Sequence, residues 1–432
     1  MLAHLSYGGT EMKKLLAVLL ASALFVPAIA GGLFNNVETY GEIQTIGTLS
    51  KGFVNGNNRD VSNRLIFGMG MDLVEDVKAN VTFLSSSYWG TYRPTYMYAP
   101  ENHDTLSDYL NYIVVAEAYV TLGNVFNALD VKVGRQFYGD ENSAIIYFGP
   151  THYKGRINTT RCRPNYGCGP VNDSPSIDAA VLSYNNDMLA LNVVYSKLRE
   201  RNVNWNYNPT NGGDLDTSLL GFDAKYTMND NLFLQAYLYD FRYGVMDTVG
   251  TILPSIYHLG IYGAKVGYTD DAIKAGLEYA RNYEGGYFEY NDGWMVKADA
   301  SMGVKMDNMD LTPRIGYVHS EQGFFSYGNY APGIYFGGAT NNVFANGNAR
   351  IMNVGVDFKF ASLSKFNFAL DYYCYKNGPA AVSNWLGNEF NLMAKYGLNE
   401  YVELHTGLAY VTSLRGAEDT AYAAQMGMIV KF

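Results

Sequence analysis

No apolar stretch in this 432-residue chain reaches the ~20 residues a membrane-spanning helix requires. The longest, Leu15 to Val26, follows Lys13 and Lys14 and runs into Pro27 and Ala28-Ile29-Ala30. That basic, apolar, small order is a secretory signal peptide, expected over 12–30 with cleavage after Ala30. Met12 stands where such a signal starts, so 1–11 reads as an upstream start-site extension and 31–432 as one mature domain. Histidine is scarce, at six. His4 precedes the mature chain, and His103 and His152 fall in connecting segments without a nucleophile motif beside them. His405 is a lone polar residue on a strand, so no catalytic constellation is present. There are three cysteines. Cys162 and Cys168 lie close together in Arg161-Cys162-Arg163-Pro164-Asn165-Tyr166-Gly167-Cys168, a spacing that suits a disulfide across a loop tip in an oxidising compartment. Two thiols with only His152 nearby make a poor metal site, Cys374 is left over within a strand, and no cofactor is implied. A net charge of −10 argues against nucleic acid as a partner.

The chain is rich instead in tyrosine (38) and glycine (45), and 48% of it is hydrophobic. Without a spanning helix, that fraction must be spread through strands whose apolar residues alternate with polar ones. The last segment shows the pattern plainly. Tyr422, Ala424, Met426, Met428, Val430 and Phe432 share one face, while Ala423, Gln425, Gly427, Ile429 and Lys431 share the other. An apolar lipid face and a strand closing on an aromatic residue are expected of a bacterial outer-membrane barrel, whose assembly machinery reads such an end. Tyrosine suits the aromatic girdles at both interfaces, and glycine suits bends and crowded lumen walls.

Alternating segments recur near 37–50, 61–74, 77–89, 112–122, 129–138, 176–185, 188–199, 217–228, 231–243, 257–269, 272–284, 293–306, 309–320, 349–360, 365–376, 387–397, 400–412 and 421–432. The expected fold is therefore all-β, a transmembrane antiparallel barrel of about eighteen strands, each near the ~9–11 residues a tilted crossing takes. Short connections carry turn chemistry, as in Asn185-Asn186-Asp187, Asn229-Asp230-Asn231 and Asp270-Asp271. Long ones run roughly 90–111, 139–175, 200–216, 244–257, 321–347 and 377–386. The short turns are expected on the periplasmic side and the long loops outside.

Because charge on a lipid face costs ~2–4 kcal/mol at the midplane, charged faces are assigned to a water-filled lumen. This gives Arg64, Asp72, Glu117, Lys132, Lys225, Glu278, Lys297, Asp299, Arg314, Asp357, Lys359 and Asp371 as lumen and selectivity candidates, with Asp178 on the same list. Arg135 breaks its strand's alternation and is a candidate with two placements. A bulge at Gly134 would turn it inward to Glu117, or it would face lipopolysaccharide phosphates outside with Lys197, Arg199 and Arg281. The 139–175 connection holds an apolar run, Ala144-Ile145-Ile146-Tyr147-Phe148, which marks it either to fold into the barrel mouth and narrow it or to serve as a plain surface loop.

Two stretches resemble the alginate export family of outer-membrane barrels. One is Glu117-Ala118-Tyr119-Val120 with Leu129-Asp130-Val131-Lys132-Val133-Gly134-Arg135-Gln136; the other is Leu386-Gly387-Asn388-Glu389-Phe390-Asn391-Leu392 with the closing strand to Phe432. The resemblance implies eighteen strands and passive passage of an acidic polysaccharide or of small solutes. Members passing alginate are expected to carry an arginine-rich constriction, whereas cations and anions nearly balance among the luminal candidates here. The reading is thus a channel for small hydrophilic solutes or an acidic polysaccharide. The alternative is a structural or adhesive surface protein with a plugged lumen. Expected partners are outer-membrane lipid, lipopolysaccharide, the barrel assembly machinery and the solute.

Overall fold

The structure, a computed structural model, describes residues 35–53, 56–88, 114–141, 143–150, 160–163, 167–170, 176–199, 217–243, 257–285, 292–321, 323–328, 333–334, 349–377, 386–412 and 420–432. The expected signal segment at 12–30 lies outside the described residues, as do nearly all of the 90–111, 200–216, 244–257 and 377–386 connections.

The strands in chain order are β1 (Asn35–Phe53), β2 (Gly56–Val74), β3 (Val77–Tyr88), β4 (Val114–Val125), β5 (Leu129–Gln136) and β6 (Ile177–Asn185). Then come β7 (Leu189–Arg199), β8 (Thr217–Asn229), β9 (Leu232–Tyr243), β10 (Tyr257–Thr269), β11 (Ile273–Gly285) and β12 (Trp294–Met302, resuming as Val304–Met306). The last are β13 (Met309–Ser320), β14 (Ala349–Phe360), β15 (Phe366–Asn377), β16 (Leu386–Gly397), β17 (Val402–Thr412) and β18 (Thr420–Lys431). The sheet has nineteen hydrogen-bonded segments, but the two halves of β12 share the neighbour β13 in one continuous register, which makes eighteen strands. Each pairs antiparallel with the next, and β18 pairs with β1 from Lys431 opposite Glu42 to Tyr422 opposite Lys51, closing the barrel. Closure removes every sheet edge, as hydrocarbon surroundings demand.

Most strands begin and end within a few residues of where alternation puts them. β1 and β2 are the exception, at 19 residues each. Their extra residues, 51–53 on β1 and 56–60 on β2, lie beyond the alternating segments because Lys51-Gly52-Phe53 and Gly56-Asn57-Asn58-Arg59-Asp60 carry no apolar period.

Inward and outward faces alternate. On β18, Ala421, Ala423 and Ile429 are buried inside, whereas Tyr422, Met426 and Met428 are exposed to the outside. Toward the turn end of the barrel, no outward strand position carries a charged residue among the described residues. The outward charges, among them Lys51, Arg135, Asp178, Lys197, Asp240, Arg242, Arg281, Arg350 and Lys376, all lie toward the opposite rim. At the turn end, the outward rings of Phe358, Phe368, Phe366 and Tyr396 form a chain of contacts with centroids 5.3, 5.7 and 4.6 Å apart. They make an aromatic girdle of the kind that marks a membrane interface. Four turns share one device. The side-chain oxygens of Asn186, Asn229, Asp270 and Asn399 each accept from the backbone N–H groups two and three residues on. The Ile273 N–H, with the Tyr268 hydroxyl and the Ala272 N–H, holds the Asp270 carboxyl below its ordinary range. This turn therefore contributes fully at neutral pH and loses its bond as pH falls through that lowered value. The three asparagine turns carry no such dependence.

The barrel's seam is tied by Phe432. Its backbone exchanges hydrogen bonds with Gly41 at 2.8 and 3.1 Å, and its ring lies 6.5 Å from that of Phe67.

The face assignment is testable. Met426, outward at mid-strand and 74% exposed, replaced by arginine should cost ~2–4 kcal/mol in denaturant unfolding from phospholipid vesicles. Asn192→Arg, on a luminal position opposite Asp223, should cost far less in the same assay.

Candidate functional site: a lumen narrowed by two loops

After β5 the chain turns into the barrel. Tyr138–Gly139 pairs antiparallel with Tyr147–Phe148 to make a small hairpin. The Ser143 hydroxyl oxygen accepts from the N–H groups of Ile145 and Ile146 at 3.0 and 3.2 Å. Gly139 sits at φ 89°, with Ile146 backbone where a side chain would be, so the hairpin needs glycine there. Ala144, Ile145 and Ile146 become 0, 1 and 3% exposed, packed in one cluster with luminal Leu219, Phe241, Leu259, Ile261, Met295 and Val318. The apolar run thus does fold into the barrel. Burial of the Tyr147 ring, aided by Glu141, pushes its hydroxyl pKa up.

A second loop meets it. Ile146 and Tyr327 form a parallel bridge, with Tyr327 N donating to Ile145 O (2.9 Å) and Tyr147 N to Tyr327 O (3.0 Å). The Ser326 hydroxyl donates to Ala144 O at 2.6 Å. Gly328 lies so close to the Ala144 backbone that no side chain fits. Tyr327 stacks on luminal Phe241, with ring centroids 4.2 Å apart. The second loop is fastened to the wall by Asn282, a fully buried inward residue of β11. Its side-chain oxygen accepts from Phe325 N (2.7 Å) and its amide donates to Phe325 O (3.0 Å), as a strand neighbour would. Further on, Ile334 reaches Gly407 of β17, and Gly333 abuts Glu389 and Tyr375. Asn282 is not among the residues the sequence singled out, since nothing in its neighbourhood signals that it holds a loop.

Below the loops the lumen is ringed by polar groups. Lys225, Gln235, Lys265, Glu278 and Lys297 occupy one register row across β8 to β12. Glu278 accepts from the Tyr237 hydroxyl (3.0 Å), Gln235 donates to Asp223 (2.6 Å), and Lys297 lies 3.9 Å from Asp299. Lys225 and Lys132 sit over the Phe233 and Tyr119 rings at 4.4 and 3.8 Å. With the hairpin as its roof, this wall bounds a cavity of about 570 Å³. On the strands that continue this wall, β13 to β15, Arg314 makes a two-pronged pair with Asp371, at 2.8–3.1 Å, and reaches Asp357 as well. Arg64 stands 3.7 Å from Glu42, and Asp72 lies 3.8 Å from Lys78 near the turn end. Lys359 faces Asp310, which faces Lys305. Glu117 accepts from the Thr82 hydroxyl (2.9 Å) and from Phe137 N (3.2 Å), so it fastens the start of the hairpin. Among the described residues no His, Cys, Asp and Glu group forms a metal site.

Two expectations need correction. Arg135 does not meet Glu117. A register shift between Leu122 and Val125 places Arg135 opposite Ala118, one position from where a symmetric turn would put it. A one-residue slip exchanges faces. Arg135 points outward and makes a two-pronged pair with Asp178 at 2.8–2.9 Å, both about half exposed. Asp178 is therefore outward as well, not luminal. The bulge that does occur lies on β4, where Ala116 and Glu117 are both buried inside.

Closed eighteen-stranded antiparallel walls, an apolar outer belt and a charged, loop-narrowed interior define the porin architecture of outer-membrane barrels. Solved structures of this shape agree. Acinetobacter baumannii OccAB3 superposes with a TM-score of 0.60 at 12% identity, covering 92% of this chain and 99% of that one. Pseudomonas aeruginosa OccK3 (OpdO) gives 0.57 at 13% identity over 93% and 96%. The outer membrane protein opdK from Pseudomonas aeruginosa gives 0.57 at 11% identity over 93% and 100%. At such identities the likeness is one of fold. No family model and no curated protein matches the chain, so neither supports the alginate export resemblance.

Asn282→Ala should leave the part-buried Phe325 N–H without its acceptor, at a cost of about 1 kcal/mol, and release the 324–328 segment. Single-channel conductance should rise, and deletion of 140–148 should raise it further; an unchanged conductance in both would show that these loops do not set the aperture. Cys162 and Cys168 stand directly opposite each other in a two-stranded ribbon, Thr160–Arg163 with Gly167–Pro170. Alkylation of the denatured, unreduced protein should therefore label one thiol, Cys374, and reduction should expose two more.

Proposed function

We propose that this chain is a passive outer-membrane channel for small hydrophilic solutes, with its turn end in the periplasm and its opposite rim outside. The observation that carries this is the charged luminal band lying open to a cavity directly beneath a narrowing made by two joined loops. Water and small polar molecules are stabilised along such a wall, and the narrowing limits their size. The retained cavity favours a channel over a plugged surface protein.

Acidic polysaccharide passage, implied by the alginate export resemblance, draws less support. A polyanion needs a run of cations without carboxylates beside them, yet Arg314 is gripped by Asp371 and Asp357, and Arg64 stands beside Glu42. The stretch that carries the resemblance also has wall-building roles here. Glu117 secures Phe137, Arg135 pairs outside with Asp178, and Gln136 donates to Ala179 O at 3.0 Å.

Planar-bilayer recording tests the proposal. Ohmic conductance with weak ion selectivity is expected, and absence of conductance would overturn it. Strong anion preference would restore the polysaccharide version. Asp371→Asn, which removes a carboxylate whose side chain is 1% exposed, should shift the reversal potential toward anions and destabilise the barrel, since it leaves Arg314 with Asp357 alone.

A further inference from the structure

On β1 to β12 every described outward cation near the rim except Lys51 stands beside a carboxylate. Arg135 pairs with Asp178, which also stands opposite Lys197. Arg242 pairs with Asp240 at 2.8 Å, and Arg281 with Asp292 at 2.9 Å. β14 and β15 break this rule. Arg350 and Lys376 stand directly opposite each other, both on the outward face and both exposed. Among the described residues neither has an ion pair. Like charges directly opposed across strands destabilise a sheet, so the arrangement is costly unless something negative lies over it. On the other side of Arg350, in register, is His319 of β13, whose ring stacks on Trp294 with centroids 4.9 Å apart. Glu321, the carboxylate that acts on the His319 ring, lies on that side. Arg350 is close to the rim end of β14 and Phe360 at its turn end. At about 3.3 Å per residue and a tilt of ~40°, they are separated by about 25 Å, the height of the apolar belt. The cations thus stand at the level of lipid headgroups, and Trp294 is an aromatic of the type that settles there.

We propose that Arg350 and Lys376, with His319 beside them, form a docking site for a phosphate of the glycolipid that fills the outer leaflet. A phosphate lying over β14 and β15 would accept from the guanidinium and the ammonium together and convert their repulsion into two charge-assisted hydrogen bonds. The acyl chains would run down the apolar face through Met352, Val354 and Tyr372. The site rests on the outer-membrane placement proposed above, but not on conductance.

The test compares the wild-type protein with Arg350→Gln/Lys376→Gln in detergent micelles. The probes are bisphosphorylated lipid A, the same lipid without phosphates, and inorganic phosphate. Lipid A should raise the thermal midpoint of the wild type by several degrees and appear as a bound species in native mass spectrometry; the other two probes should do neither. The double variant should lose most of that shift, yet without lipid it should be at least as stable as the wild type, because the opposed charges are gone. Arg281→Gln should keep the shift. An equal shift in the double variant, an equal effect of inorganic phosphate, or a double variant destabilised without lipid would each overturn the proposal. A protein that gains the lipid A shift but does not conduct would overturn the channel reading alone.

Discussion

Backbone amides and carbonyls find no partner in hydrocarbon, and from this the rest of the structure follows. Each group must be bonded within the sheet, so the sheet has to close, and closure is made where β18 meets β1. A closed sheet has an inside and an outside with opposite demands. The strand period of two sorts residues between them, which is why Met426 and Gln425, adjacent in the chain, live in different solvents. Among the described residues, strand charges toward the turn end are all inside. Those that face outward are confined to the rim, where the dielectric recovers and a two-pronged pair such as Arg135–Asp178 is tolerated.

The interior of so wide a barrel cannot be filled by wall side chains alone. Loop segments complete it, and they do so with the devices of a sheet. The 138–148 hairpin and the 324–328 segment bond to each other by backbone, and Asn282 imitates a strand with its amide. An apolar core forms near the rim, while the charged band below it stays wet. In that band cations and carboxylates are neighbours: Lys265 and Lys297 lie on either side of Glu278, and Arg314 grips Asp371.

How much of this was legible in the sequence depends on whether the information was local. Alternation is local, and it yielded the strand number and nearly every boundary; it failed on the ends of β1 and β2 at 51–53 and 56–60, where the residues show no apolar period. It also gave the inward face of Arg314, Asp357 and Asp371 on three successive strands. Arg135 was left between two placements because its partner depends on register, which a one-residue irregularity at Leu122–Val125 decides and no composition reveals. The burial of Ala144-Ile145-Ile146 was foreshadowed by an apolar run in a connecting segment. Its partner Tyr327, from another loop, was not, because nothing short-range links them.

That separation has a consequence for how the barrel is made. Ser326 and Ala144 are joined by a hydrogen bond although 182 residues apart in the chain. Loop closure over such a span is entropically expensive until the intervening strands have been ordered. The bridge is therefore expected to follow the ordering of β6 through β13, whereas the seam of β18 on β1, with partners as far apart as Glu42 and Lys431, spans more chain still. On that ordering the interior is narrowed before the last seam closes, and the aperture is already set when the wall becomes complete.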